Sequence, residues 1–225
     1  MSTSKLLLYS FLLCLIPYST LSSASNEISV AEAVQQLQSK YQNMQTLQAN
    51  FSQSYQSKRF SGGGITESGV VYLRKGGLMK WEYQTPEKKI FISDGLFYFY
   101  YVPQDKQVVK TPVDHQTQQS PALFLAGRGN FAKDFTAQWA DPRPGSRLIK
   151  LTPVKSQPDF EYLIVDVDPA RNLVLRLLVV DSYDNRTEYK FTNIRENPPL
   201  PSNFFTFNAP PGTDVVFQRR EADQN

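Results

Sequence analysis

The sequence predicts a mainly β chain with a few helices, folded as a strongly curved antiparallel sheet or open barrel that helices cap. Three observations carry this. Residues 78–103, LMKWEYQTPEKKIFISDGLFYFYYVP, read as three neighbouring strands. The second half of the chain holds further strand-like runs at short spacing, and helical spacing is confined to one segment near the N-terminus and a short one before the second half of the sheet.

The 78–103 stretch organises the rest. Met79, Trp81 and Tyr83 alternate with Lys80 and Glu82, the period-two pattern of a half-buried strand. Pro86 breaks the pattern and the chain returns through 90–93. Asp94-Gly95, a pair that tolerates positive φ, is then read as the tight turn into 96–102. LFYFYYV carries large groups on both faces, so one face meets a core and the other needs a cover or a bound ligand.

At 225 residues, 40% hydrophobic and 20% charged, the chain can bury a sizeable core as one domain over 25–225. Residues 1–24 read as a cleaved export signal. Lys5 precedes an apolar run over 6–16, and Ser22 and Ala24 supply the small residues that suit cleavage after Ala24. An uncleaved membrane anchor is the competing reading, but the run is short for a bilayer span. Cys14, the only cysteine, lies inside this segment, so the mature chain has no thiol and stability must come from packing. Losing the signal removes one basic residue from 24, against 21 acidic ones, a balance that gives no grounds for nucleic-acid binding.

From Ser29, Val30, Val34, Leu37 and Tyr41 recur at helical spacing, with Ser29 as N-cap and Glu32 three residues on. Leu47, Ala49, Phe51, Gln53 and Tyr55 then alternate with polar residues as a first strand. A glycine loop over 62–64 leads to a second strand over 70–75, ended by Gly76-Gly77. The stretch from 104 to 119 is polar and turn-rich. Ser120-Pro121 then announces a short, almost wholly apolar helix that Gly127 can stop. Such a helix must cover something, so Leu123, Phe124 and Leu125 are expected to form a lid over the open side of the aromatic sheet. Strands follow over 134–139, 147–153, 160–167, 173–181 and 186–194. Their faces are set by charge: Leu175, Leu177 and Val179 oppose Arg176, and Tyr189 and Phe191 oppose Glu188 and Lys190.

Catalytic chemistry is poorly supplied. His115, the sole histidine, sits in a polar loop, so a nucleophile–histidine triad or a multi-histidine metal site would have to be built around one residue. No phosphate-binding loop is present, and Gly127-Arg128-Gly129-Asn130 lacks the spacing of a dinucleotide fingerprint. The expectation is no enzyme, no catalytic residue, no metal and no cofactor. Trp81, Phe99, Tyr101 and Tyr189 either fill a solid core or line an apolar cavity under the lid, and composition does not choose.

The motifs as a set resemble the periplasmic outer-membrane lipoprotein carrier family, the LolA-type chaperones, over nearly the whole mature chain. They are Leu47-Gln48-Ala49-Asn50-Phe51-Ser52-Gln53 after an N-terminal helix, Gly69 through Lys75, and Leu78-Met79-Lys80-Trp81 with Tyr83 and Pro86. Ser93-Asp94-Gly95 with Tyr101 and Pro103, Ser120-Pro121-Ala122-Leu123, and Phe205-Thr206-Phe207 with Pro210, Gly212 and Val215 complete them. The resemblance implies an unclosed β-barrel with a helical lid over a hydrophobic cavity. Such a carrier would take lipoprotein acyl chains from an inner-membrane lipoprotein-releasing ABC transporter through the periplasm to an outer-membrane acceptor where one exists, as a monomer. A triacylated cysteine carries on the order of forty methylenes at about 0.8 kcal/mol each, so it cannot cross water unaided.

On this basis Val71, Leu73, Met79, Trp81, Ile90, Ile92, Phe99 and Tyr101 are expected to face the cavity, with Leu123, Phe124, Leu125 and Ala126 on the lid. The family's latch, a basic side chain bonded to lid carbonyls, falls on Lys75, and those carbonyls on Leu125 and Ala126. Here Lys75-Gly76 stands in place of Arg-Pro, and lysine lacks the forked donor array of arginine. Met79 falls where the family keeps an exposed apolar residue near its transporter contact. Two rivals remain at this point: an envelope-sensing lipid-binding module of the same half-barrel type, and a secreted hydrolase with chemistry near His115.

Overall fold

The structure, a computed structural model, describes residues 28–58, 64–113, 125–141, 143 and 147–218. The proposed signal peptide, His115, and Leu123 and Phe124 of the expected lid lie outside the described residues.

Helix α1 spans Val30–Asn43 and begins as the sequence requires. The Ser29 hydroxyl accepts from the Glu32 N–H, and the Glu32 carboxylate accepts from the Ser29 N–H at 2.7 Å, a complete capping box. Ala33, Val34, Leu37, Gln38 and Tyr41 form its buried stripe. Strand β1 (Thr46–Gln56) pairs with β2 (Ile65–Arg74), which begins five residues earlier than its apolar part suggests because Thr66, Glu67 and Ser68 extend the ladder as polar residues. Then come β3 (Leu78–Thr85), β4 (Lys89–Ser93) and β5 (Phe97–Val102), the three neighbours expected.

The β4–β5 turn is one residue displaced from its reading. Gly95, at φ 90°, and Leu96 are the two loop residues; the Asp94 N–H donates to the Phe97 carbonyl, and the Asp94 carboxylate accepts from the N–H groups of Leu96 and Phe97. Aspartate therefore braces the turn from its flank, and glycine supplies the positive φ at the first loop position.

Two strands and a short helix escaped the sequence. Strand β6 (Gln107–Pro112) lies in the stretch read as polar loop; Val108 is buried, and Lys110 stretches across the aromatic rings with its Nζ 3.8 Å from the Phe97 centroid. A lysine covering rings with its stem reads as solvent-facing in sequence. Helix α2 (Phe131–Asp134) is a single turn capped by Asn130. After β7 (Phe135–Trp139), β8 (Leu148–Pro153), β9 (Tyr162–Val167), β10 (Val174–Val180) and β11 (Arg186–Glu196), a final strand β12 (Asp214–Phe217) pairs in parallel with β6. All four of its residues are exposed, so it carries no burial pattern to read. In β10 the pairing skips Leu175, a bulge that turns this residue outward and corrects its expected place beside Leu177 and Val179.

The twelve strands of the described residues form one sheet in the order β12-β6-β5-β4-β3-β2-β1-β11-β10-β9-β8-β7, antiparallel except at β12–β6. Its two end strands do not pair with each other, so the sheet curves without closing. Helix α1 packs on the inner face, where the main core runs from Leu37 through Leu47, Val71, Met79 and Trp81 to Ile149, Leu163 and Leu177.

The outer face has its own cover. Residues 200–207 lie across it as a strap. Arg74 donates to the carbonyls of Leu200 and Pro201 at 2.8 Å and lies over the Phe205 ring, Phe204 meets Tyr72, and Phe207 packs on Phe99 and Tyr101. Strand parity points Arg74 outward, and this strap is what it meets.

Candidate functional site

The strand register sorts the inner face into rows that run across the sheet. Leu47, Leu73 and Met79 form one row and Ala49, Val71, Trp81 and Phe91 the next. Phe191, Phe51, Gly69 and Tyr83 follow, and then Tyr189, Gln53 and Glu67. The first rows lie in the core with α1; the last are progressively more polar.

A cavity of about 300 Å³ opens over the middle rows. Trp81, Tyr83 and Phe91 make one wall. Leu177, Val179, Thr187 and Tyr189 make the other, and Leu125, Phe160 and Asp159 close in from the loops. Its aromatic wall is rigid. Phe51 stands edge-on to Trp81 at 4.9 Å and to Tyr83 at 5.0 Å, reaching past Gly69, and Trp81 meets Tyr189 at 5.6 Å. A wider groove of about 570 Å³ lies between α1 and residues 172 and 196–197, and Met44 is the one apolar residue among its lining, which includes Gln35, Gln36, Lys40, Asn43 and Asn197.

The expected cavity residues divide three ways. Trp81 lines the cavity. Val71, Leu73 and Met79 share its face but are fully packed, at 0%, 3% and 1% exposure, and form the floor beneath it; Met79 is a core residue, not an exposed one. Ile90, Ile92, Phe99 and Tyr101 are on the opposite face. Ile92 pairs with Lys80 and Ile90 with Glu82, the outward residues of β3, and the four pack with Val108 and Phe207 under the strap. The reason is local: β4 and β5 are apolar on both faces, so alternation alone cannot orient them, and the connection over 84–88 sets Trp81 opposite Phe91. Tyr83, Phe91, Phe160, Leu177, Val179 and Thr187 are wall residues that sequence reasoning missed.

The base of the expected lid is held differently from the resemblance. Lys75 sits in the β2–β3 turn beside Leu125 and Ala126, but its side chain is exposed and makes no hydrogen bond among the described residues. The Ala126 carbonyl accepts instead from the Gly77 N–H at 3.2 Å. Gly77, at φ 87°, lies where an added Cβ would come within 2.3 Å of the Arg128 side chain. Gln38 completes the clamp from α1: its amide donates to the Gly129 carbonyl and accepts from the Phe131 N–H at 2.6 Å. A polar residue in the buried stripe of a helix is the one sequence signal that could have marked it.

Three phenols near this core are held neutral. Burial, with Glu67 as a smaller contribution, pushes Tyr189 up to about 12; burial first, then Tyr189 and Glu67, raises Tyr83 further; burial raises Tyr41, whose hydroxyl accepts from the Val174 N–H. Because each folded value lies above the unfolded one of about 10, their stabilising effect is complete below that pH and is lost as pH rises through the folded values. We expect the unfolding midpoint to fall above about pH 10, with phenolate absorbance from these tyrosines appearing only as the fold gives way. Ordinary titration of every tyrosine near pH 10 in the folded protein contradicts this.

Among the described residues no cluster of three or more histidine, cysteine or acidic side chains is placed to hold a metal ion. Fold and cavity together define the class: an unclosed, curved β half-barrel with an apolar pocket on its inner face.

Comparison with known proteins agrees. Residues 42–208 match the family described as "Outer membrane lipoprotein carrier protein LolA". The chain is 30% identical over 188 residues to the outer-membrane lipoprotein carrier protein of Nitrosomonas europaea, covering 83% of this chain and 89% of that one. It is also 30% identical over 186 residues to that of Dechloromonas aromatica, covering 83% and 88%. Among solved structures, an uncharacterized conserved protein from Thermus thermophilus superposes with a TM-score of 0.54 at 16% identity over 84% of this chain and all of that one, a likeness of fold. This chain belongs to the LolA family of outer-membrane lipoprotein carriers, and as a member of a carrier family it is not an enzyme.

Proposed function

We propose that this protein is a periplasmic chaperone that takes the acyl chains of lipoproteins into its inner-face cavity and carries them from the inner to the outer membrane. The observation that carries the reading is the apolar cavity walled by Trp81, Phe91, Phe160, Leu177 and Val179 in a chain of this family. Each methylene moved from water into such a wall is worth about 0.8 kcal/mol, so even part of one chain is held firmly.

At about 300 Å³ the cavity is at the small end of ligand pockets, which run from about 300 to 1,000 Å³. Three chains require it to widen. The described hydrogen bonds at the lid base are few, one between Gly77 and Ala126 and the two of Gln38, each worth about 1 kcal/mol net, and Leu125 and Ala126 add their packing in the main core. Loading falls to an inner-membrane ABC transporter and unloading to an outer-membrane acceptor, since the sequence holds no nucleotide-binding motif to drive either step. Residues 1–24 direct export and are cleaved near Ala24, leaving 25–225 as one carrier domain.

The test is release from vesicles. Inner-membrane vesicles carrying an acylated lipoprotein and an active releasing transporter are incubated with the purified protein. Lipoprotein is expected in the soluble fraction as a one-to-one complex, with its unacylated counterpart left unbound. No release above a protein-free control overturns the reading.

A further inference from the structure

The rows of the inner face end in a band of polar side chains that a pure hydrocarbon pocket has no use for. Tyr189, Gln53 and Glu67 are cross-strand neighbours on β11, β1 and β2, and Lys89 reaches Glu67 from β4 at 2.5 Å while lying 4.6 Å over the Tyr83 ring. The Tyr83 hydroxyl donates to the Gln53 side chain at 2.8 Å. Lys89 and Glu67 thus satisfy each other, and the Tyr83 hydroxyl is committed to the Gln53 side-chain carbonyl oxygen. The Tyr189 hydroxyl, on a ring that lines the cavity, makes no hydrogen bond to any described residue.

We propose that Tyr189 is the headgroup contact of the cavity: its hydroxyl donates to the carbonyl oxygen of an ester- or amide-linked acyl chain whose hydrocarbon lies against Trp81, Phe160 and Leu177. This rests on the carrier reading and sharpens it, because it orients the cargo. The chain's apolar end points to the rows under α1 and its linkage to the Tyr189–Gln53–Glu67 row. A carbonyl fits this position because the hydroxyl can supply the hydrogen and the neighbouring ion pair is already neutral. Burial keeps the phenol protonated at any physiological pH, so the donor is always available.

The consequence is selectivity for linkage: an ether-linked chain of equal length fills the same wall but offers no carbonyl. The experiment compares wild type with Tyr189→Phe, which keeps the ring against Trp81, for three probes: a diacylated lipopeptide with ester linkages, its ether-linked analogue, and an ester phospholipid. Loss of one neutral hydrogen bond predicts about five-fold weaker binding of the ester lipopeptide by the variant and unchanged binding of the ether. Equal losses for ester and ether, or none for the ester, overturn the proposal. A loss confined to the phospholipid overturns the assignment to acylated cysteine. Failure of wild type to bind any of the three removes the carrier reading itself, a different result from failure of the Tyr189 contact.

Discussion

Trp81→Glu is expected to lower the folding free energy by about 4 kcal/mol or more and to abolish acyl binding. The indole is 5% exposed, edge-on to Phe51 and Tyr189, and forms part of the cavity wall. Removing a buried tryptophan costs about 3–5 kcal/mol through lost transfer energy and the void left behind. The carboxylate adds a desolvation cost that it escapes only by taking up a proton. Against a total stability of about 5–15 kcal/mol, the variant stands near its unfolding threshold at neutral pH. Trp81→Leu separates the two effects. It keeps the wall apolar, so it is expected to lose about half as much stability and to retain acyl binding. Denaturant midpoints and titration with an acylated peptide measure both, and a Glu variant that binds like wild type sinks the wall assignment.

Gly69→Ala is expected to destabilise by about 3 kcal/mol although it adds one methyl group. Gly69 is buried at a register shift: Ser68 pairs with Thr85 and Gly69 with Tyr83, so Gln84 is the extra residue on β3. A Cβ there would lie 1.9 Å from the Glu82 carbonyl oxygen and 3.0 Å from the Tyr83 Cα. Both are backbone atoms, so no rotamer change relieves the clash and β2 must part from β3. That parting displaces Tyr83 and Glu67, and with them the wall and its polar row. Gly76→Ala is the control. Gly76 has open space around it and only a positive φ of 97° to lose, so its cost is about 1 kcal/mol. Equal midpoints for the two variants contradict the close approach.

Much of the architecture was legible because it rests on local rules. The Ser29–Glu32 capping box, the stripe of α1 and the alternation of β1 and β3 each act over a few neighbouring positions. The faces of β4 and β5 were not legible. With Ile90, Phe91 and Ile92 in a row, either parity buries an apolar side chain, and the decision belongs to the pairing of Trp81 with Phe91. The outer strap was half visible: parity turned Arg74 outward, but only the fold brings residues 200–207 back over Tyr72, Ile92 and Phe99. The polar row was invisible, since Tyr189, Gln53 and Glu67 come from strands far apart in the chain. The hydrogen bond from the Gly77 N–H to the Ala126 carbonyl was equally invisible, since a backbone donor carries no sequence signature.

On the proposed function acyl chains lie on the inner face, against Trp81, Phe91 and Leu177, and not on the outer one, where Ile90, Ile92, Phe99 and Tyr101 pack. A lipopeptide with a photoreactive group near the end of its acyl chain, cross-linked to the protein and mapped by peptide mass spectrometry, decides between them. Labelling should fall on the inner-face wall and disappear when unlabelled lipopeptide is added in excess. Labelling of Ile90, Ile92, Phe99 or Tyr101 would place the cargo under the strap and rule out the inner-face cavity as its site.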